Sequence, residues 1–156
     1  MRRILLAVLL VAAAVPLRAQ DAAPASDRAA VERAVLDYVE GFYLGDSTRL
    51  QRSVSPDVYK IGYYRPAGGE YRLSRMPWPE FLRYAEQVRT SGRQAPATAP
   101  REIRVFDVLD RTASAKLTAA WGTDYLLLAK TDGRWMVTHV LWQSPPPRPA
   151  APGQED

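Results

Sequence analysis

The sequence of 156 residues contains no cysteine and only one histidine, His139. Without cysteine there can be no disulfide, no thiolate zinc site and no lipid-modified amino-terminal cysteine. A zinc site built on a single histidine would need carboxylates for every other ligand, so no metal is expected. The domain must therefore be held together by apolar packing, and the hydrophobic content of 47% is sufficient for that.

Motifs for several large enzyme classes are also missing. The chain has no Gly-rich phosphate loop, no nucleophile elbow of the Gly-x-Ser-x-Gly type and no metal-binding motif. This excludes nucleotide-dependent, serine-hydrolase and zinc chemistry, and no cofactor is expected.

The amino terminus has the pattern of a secretory signal peptide. Arg2 and Arg3 precede the apolar run 4–15, and small residues follow around Ala19. A run of twelve residues is too short to cross a bilayer, which requires about 20. Residues 1–20 are therefore predicted to be a cleaved signal peptide of an exported protein, periplasmic or secreted.

Export changes the charge of the mature chain. Removing Arg2, Arg3 and Arg18 from 21 basic residues leaves 18 against 17 acidic ones, a net charge of +1 in place of +4. No run of basic residues interleaved with aromatics remains. A nucleic-acid partner is therefore not expected, and neither is a membrane partner after cleavage.

Hydrophobic periodicity predicts three helices. Val31, Val35, Tyr38 and Phe42 recur at helical spacing, which predicts a helix over about 27–44 with one apolar face. Asp37 and Glu40 lie off that face and are interpreted as solvated charges. A short helix is predicted over about 47–54, and a third begins near Trp78, after Pro77, with Pro79 inside its first turn.

The remaining segments predict strands. Residues 58–64 and 70–73 form a hairpin in this interpretation, and four strands follow near 102–109, 112–121, 124–130 and 134–143, with Asp132-Gly133 as the strongest turn signal. Residues 21–26 are interpreted as a leader, 27–143 as one α+β domain and 144–156 as a disordered Pro-rich tail.

This order of elements resembles the nuclear transport factor 2-like superfamily, which includes SnoaL-like and ketosteroid-isomerase-like proteins. More narrowly, the segments Tyr38–Asp46 and Asp124–Trp135 resemble the bacterial group named Putative lumazine-binding proteins. The resemblance implies a strongly bent antiparallel sheet wrapped on about three helices around a cone-shaped pocket. It also implies a small, largely apolar ligand and a homodimer formed through the outward side of the sheet.

Within such a fold, aromatic residues from several elements could surround one pocket. Strict alternation along the last strand puts Trp135, Val137, His139 and Leu141 on one face, and the resemblance makes that face the inner one. The candidate ligand-binding residues are Tyr38, Phe42, Tyr59, Tyr63, Trp78, Phe81, Trp121, Tyr125 and His139. The alternative is that these aromatic residues only fill the core.

The candidates for acid–base chemistry are few. His139, Asp124 and Tyr38 could supply a base and a hydrogen-bond donor as the pairs Asp124–His139 or His139–Tyr38. Asp124 follows a turn, however, and a turn-capping aspartate is the simpler interpretation. A lone histidine is more often structural than catalytic.

Three functional hypotheses remain open at this stage. The leading one is a non-catalytic domain that holds an apolar or aromatic molecule. The second is an enzyme of the isomerase, dehydratase or cyclase kind, and the third is a dimeric structural module with a filled cone. The sequence favours binding, because His139 has no convincing catalytic partner.

Overall fold

The computed structural model describes residues 25–67 and 69–147. The predicted signal peptide, residues 21–24 of the predicted leader and the end of the predicted tail lie outside the described residues. Among the described residues, no helix is both long enough and apolar enough to span a bilayer.

The three predicted helices are present as α1 (Ala25–Leu44), α2 (Ser47–Ser53) and α3 (Trp78–Ser91). Gly45, with φ of 70°, makes the left-handed turn that ends α1. Asp46 then caps α2, because its carboxylate accepts from the backbone N–H groups of Thr48 and Arg49 at 3.0 and 3.2 Å. Gly92, with φ of 66°, ends α3 in the same way as Gly45.

Six strands form one mixed sheet. They are β1 (Val54–Tyr64), β2 (Arg72–Arg75), β3 (Arg101–Val108), β4 (Thr112–Ala119), β5 (Gly122–Thr131) and β6 (Arg134–Gln143), in the order β2-β1-β6-β5-β4-β3. The expected antiparallel pairing is found everywhere in this described sheet except between β1 and β6, which are parallel. The α+β class is as predicted, and the purely antiparallel sheet is corrected to a mixed one.

The core lies between the inner face of the sheet and the three helices. The apolar face of α1 is buried, as its periodicity predicts, and within the sheet the helix packs mainly against β3 and β6. Large buried side chains from the sheet include Leu117, Leu126, Leu128, Val137 and Val140.

A β-bulge in β6 reverses the predicted face of its second half. Leu127 of β5 pairs with His139 and Leu128 pairs with Val137, which leaves Thr138 as an extra residue. Trp135 and Val137 therefore point inward as predicted, whereas His139 and Leu141 are exposed on the outer face. The prediction that all four share the inner face was wrong, because strict alternation does not survive a bulge.

A second irregularity lies at the start of β1. The strand begins at Val54 rather than at residue 58, and its register against β6 shifts between Val54 and Tyr59, where Pro56 lies. Proline is tolerated at such an irregularity because no ladder hydrogen bond is required of its nitrogen. Beyond it, Val58, Lys60 and Gly62 point inward and are buried.

An ion-pair network joins α1 to α2. Asp37 is only 4% exposed, and its carboxylate contacts Arg33 at 2.7 Å, Arg49 at 3.1 Å and Arg52 at 2.6 Å. Burial raises the pKa of Asp37, but the hydrogen bonds from Arg52 and Arg33 outweigh it and hold that pKa below its usual value. The interpretation of Asp37 as a solvated charge was therefore wrong: α2 folds back over it.

Gly62 allows β1 and β6 to approach closely. A Cβ atom there would clash with the carbonyl oxygen and the indole ring of Trp142. We expect Gly62→Ala to lower the free energy of unfolding by about 3 kcal/mol or more, because the backbone cannot yield. Thermal and urea unfolding followed by circular dichroism measures the loss.

Gly92→Ala is the matched control. Its φ is positive, but nothing lies within 4 Å of the added Cβ, so only the left-handed strain of about 1 kcal/mol is expected. If Gly62→Ala and Gly92→Ala lowered the free energy of unfolding equally, the close packing of β1 on β6 would be contradicted.

Candidate functional site

An aromatic-walled cavity opens between α1, α3 and the β1–β2–β6 part of the sheet. Its volume is about 240 Å³. The residues that line it are Phe42, Lys60, Ser74, Arg75, Met76, Glu80, Tyr84, Trp121 and Trp142. Most of this wall is apolar, which is the usual character of a small-molecule pocket.

A buried chain of hydrogen bonds lies behind the cavity. Lys60 Nζ donates to the Tyr38 hydroxyl at 2.7 Å, and that hydroxyl donates to Asp124 Oδ2 at 2.7 Å. The other carboxylate oxygen, Oδ1, accepts from Trp121 Nε1 at 3.0 Å. Two opposite charges are thus joined through a neutral tyrosine, and both oxygens of Asp124 are occupied.

Three different elements supply this chain. Tyr38 lies on the buried face of α1, Lys60 is an inward residue of β1, and Asp124 is an inward residue of β5. Tyr38 and Asp124 are 0% exposed and Lys60 is 8% exposed. Groups so deeply buried are stable only when they are hydrogen-bonded or paired, which explains why the chain is complete.

Burial shifts the proton affinities of Tyr38 and Lys60 in opposite directions. Burial raises the pKa of Tyr38 well above that of an ordinary tyrosine, and the charge and hydrogen bond of Asp124 raise it further. Burial lowers the pKa of Lys60, while the negative charge of Asp124 opposes that fall. Tyr38 therefore stays protonated as a hydrogen-bond donor.

Aromatic rings surround the Lys60 ammonium group. The distances from Nζ to the ring centroids run from 4.9 Å for Phe42 to 5.8 Å for Trp121 and Trp142, with Tyr38 and Phe81 between these values. Contacts of this kind favour a desolvated cation. The protein's own lysine thus occupies the place that a cationic ligand would take in this aromatic cage.

Part of the predicted aromatic set is brought together here. Phe42 and Trp121 line the cavity, while Tyr38 and Phe81 lie directly behind it in contact range of Lys60. Trp78 stacks on Phe81 at a centroid distance of 5.7 Å and lies outside the lining.

The other predicted residues lie on the opposite side of the sheet. Tyr59, Tyr63 and Tyr125 are 48%, 46% and 52% exposed on the outer face, where Tyr59 lies next to His139. The structure therefore forms neither of the pairs Asp124–His139 and His139–Tyr38. It does join Asp124 to Tyr38, so the turn-capping interpretation of Asp124 was wrong: the residue points inward from β5.

Lys60 and Trp142 were missed as site residues. The signal for Lys60 was present, because alternation places it between Val58 and Gly62 on the inner face of a Tyr/Val/Ile-rich strand. Lysine is rarely buried without a specific partner, so a lysine on an inner face marks a site. Trp142 could be assigned to the inner face only if the bulge at Thr138 were known, because the bulge reverses the facing of the residues after it.

We find no metal centre in the described residues. Within 25–67 and 69–147, no three His, Asp or Glu side chains converge as metal ligands would. The cavity offers a ligand aromatic surface, hydrogen-bond donors at its inner end and the charged side chains of Arg75 and Glu80 in its wall.

The chain has the fold of nuclear transport factor 2-like proteins, with three helices packed on this six-stranded sheet. An NTF2-like protein of unknown function from Shewanella baltica is similar in structure, with a TM-score of 0.62 and 21% identity. That match covers 78% of this chain and 96% of the other. The family model described as Putative lumazine-binding matches residues 26–143, and the chain belongs to that family.

Two other solved structures share the fold at lower identity. A ketosteroid isomerase-like protein from Erwinia carotovora atroseptica has a TM-score of 0.54 and 18% identity, and the match covers 80% of this chain and all of the other. The association domain of C. elegans CaMKII has a TM-score of 0.54 and 13% identity, over 76% of this chain and 96% of that one. No curated protein matches the sequence significantly.

The hydrogen-bonded chain can be tested with a double-mutant cycle. Asp124→Asn leaves the Lys60 charge buried without its counter-charge, so we expect it to lower the free energy of unfolding by about 3 kcal/mol. In the Lys60→Met background, Asp124→Asn should lower the free energy of unfolding by at least about 1 kcal/mol less than it does in the wild type. The reason is that residues in one network are coupled. Urea unfolding of the four proteins gives the coupling energy.

Asp132→Asn serves as the control, since Asp132 is an exposed turn residue with φ of 49° that asparagine also tolerates. Its effect should stay within about 0.5 kcal/mol. Additive losses for Asp124 and Lys60 would show that the two charges do not interact through Tyr38.

Proposed function

We propose that this protein is an exported domain that holds one small apolar or aromatic molecule in a cone-shaped cavity. The observation that carries the proposal is the aromatic-walled cavity of about 240 Å³ with the buried Lys60 at its inner end. The amino-terminal signal pattern supports export. Ligand pockets usually have volumes of about 300–1,000 Å³, so a cavity of this size suits a molecule of one or two rings.

The family description supports the same ligand class. Lumazine, which the family is named for, is a flat molecule of two fused rings, within the size that the cavity volume suits. Trp121, Trp142, Phe42 and Tyr84 offer ring surfaces against which such a molecule can stack.

The geometry favours binding over acid–base catalysis. An isomerase or cyclase requires a base that reaches the substrate. Both oxygens of Asp124 are engaged by Tyr38 and Trp121, and His139 lies on the outer face. The residues proposed from the sequence as acid or base are therefore covered or turned away from the cavity.

We also propose that the outer face of the sheet is the contact surface of a homodimer. Tyr59, Tyr63, Tyr125, Leu127 and Leu141 form an exposed apolar patch there, each 46–53% exposed. Patches of this kind mark protein contacts. A second copy of the chain is the favoured occupant because a related fold serves as the association domain of CaMKII.

The dimer is tested by sedimentation equilibrium. We expect the wild-type protein to sediment as a dimer and Leu127→Glu as a monomer, since a buried unpaired charge is strongly unfavourable at an interface. Leu44→Glu, at the exposed end of α1, should leave the mass unchanged. A monomeric wild-type protein would refute this part of the proposal.

Ligand binding is tested by filling the cavity. Lumazine and riboflavin are titrated into the mature protein, with binding followed by tryptophan fluorescence, because Trp121 and Trp142 line the cavity. We expect saturable quenching by at least one of them, and Ser74→Trp should weaken that binding at least about tenfold by occupying the space.

Ser91→Trp, exposed at the carboxyl end of α3 and outside the cavity lining, is the matched control and should bind as the wild type does. The absence of saturable binding to either compound, or binding that Ser74→Trp leaves intact, would show that these molecules do not enter this cavity.

A further inference from the structure

The inner end of the cavity is rich in donors that have no acceptor. An ammonium group has three N–H donors. Lys60 uses one of them for the Tyr38 hydroxyl, and the described residues provide no acceptor for the other two. Trp142 Nε1, in the same wall, is also buried without a partner among the described residues.

The aromatic rings compensate only partly for the missing hydrogen-bond acceptors. The rings around Lys60 stabilise its charge, but they do not replace hydrogen-bond acceptors in a buried site. Because Lys60 lines the cavity, an oxygen atom of a bound molecule can approach its remaining N–H groups. The cavity therefore favours a ligand that places a hydrogen-bond acceptor at its inner end.

At the inner end of the cavity Asp124 decides the charge of that acceptor, because Arg75, the other cationic residue of the lining, is exposed to solvent. The carboxylate already balances the Lys60 ammonium through Tyr38, at 2.7 Å on each side. A ligand carboxylate against Lys60 would leave a net negative charge at the inner end, and uncompensated buried charge is costly. A neutral carbonyl oxygen adds the missing acceptor without adding charge.

We propose that the cavity binds flat, neutral aromatic carbonyl compounds, with the carbonyl oxygen accepting a hydrogen bond from Lys60 Nζ. This inference rests on the proposed binding function and specifies its ligand class. Tyr38 and Asp124 are positioning residues in this scheme: they hold the lysine head at the inner end and neutralise its charge.

Three matched probes test the proposal. 2-Acetylnaphthalene carries a neutral carbonyl, 2-isopropenylnaphthalene replaces its oxygen with a CH₂ group, and 2-naphthoate replaces its methyl group with a charged oxygen. Dissociation constants are measured by calorimetry with the mature protein, Lys60→Met and the control Arg89→Met, whose side chain is exposed on α3 and does not line the cavity.

We expect the wild type and Arg89→Met to bind the ketone at least about tenfold more tightly than the alkene, the value of one hydrogen bond to a charged donor. Lys60→Met should bind the two equally. The infrared C=O stretch of ¹³C-labelled 2-acetylnaphthalene bound to the wild type should lie at lower frequency than that of the same compound in an apolar solvent. This measurement does not require Lys60→Met to fold.

The outcomes separate the two proposals. Equal binding of ketone and alkene by the wild type, or an unshifted C=O stretch, would overturn the carbonyl site and leave the binding function standing. Tighter binding of 2-naphthoate than of the ketone would overturn the neutral ligand class. If none of the three probes bound, the carbonyl-site proposal would be refuted. The proposal that the cavity binds a small molecule would then be tested separately by the titrations with lumazine and riboflavin.

Discussion

The hydrogen bonds from Lys60 through Tyr38 to Asp124 are the constraint on which the rest of the structure depends. They join β1, α1 and β5 at one buried point, 2.7 Å from donor to acceptor on each side of the tyrosine. Two charges removed from water would be strongly unfavourable without these contacts. The helix must therefore lie at a fixed height and rotation over the sheet, and this placement leaves the cavity between α1, α3 and β1.

A buried charge pair of this kind is weak evidence for stability. Apolar side chains of similar volume often stabilise a core as well or better. The position of Lys60 at the inner end of an aromatic cavity gives the pair a second role, because its head meets whatever the cavity contains. The Asp37 network differs in this respect: its arginines neutralise a carboxylate between two helices and are not among the residues that line the aromatic-walled cavity.

Local signals in the sequence were enough for most of the fold. The periodicity of Val31, Val35, Tyr38 and Phe42 predicted α1 and its buried face, and the Asp132-Gly133 turn, with φ of 49° and 76°, joins β5 to β6 as predicted. The site was only partly predictable. The extra residue at Thr138 turns His139 outward, and no local propensity marks a bulge, since it is set by pairing with β5. Lys60 was visible in the alternation of β1, but its partners come from residues 22 and 64 positions away in the chain.

The protonation state of Tyr38 tests the central claim most directly. Carbon-13 NMR of tyrosine Cζ, with the Tyr38 resonance assigned through Tyr38→Phe, distinguishes phenol from phenolate at each pH. Because burial and Asp124 raise the pKa of Tyr38 well above that of an ordinary tyrosine, its signal should remain that of a phenol above pH 10. A phenolate signal for Tyr38 at about pH 10, the value for an unperturbed tyrosine, would show that the buried chain of hydrogen bonds does not exist in solution.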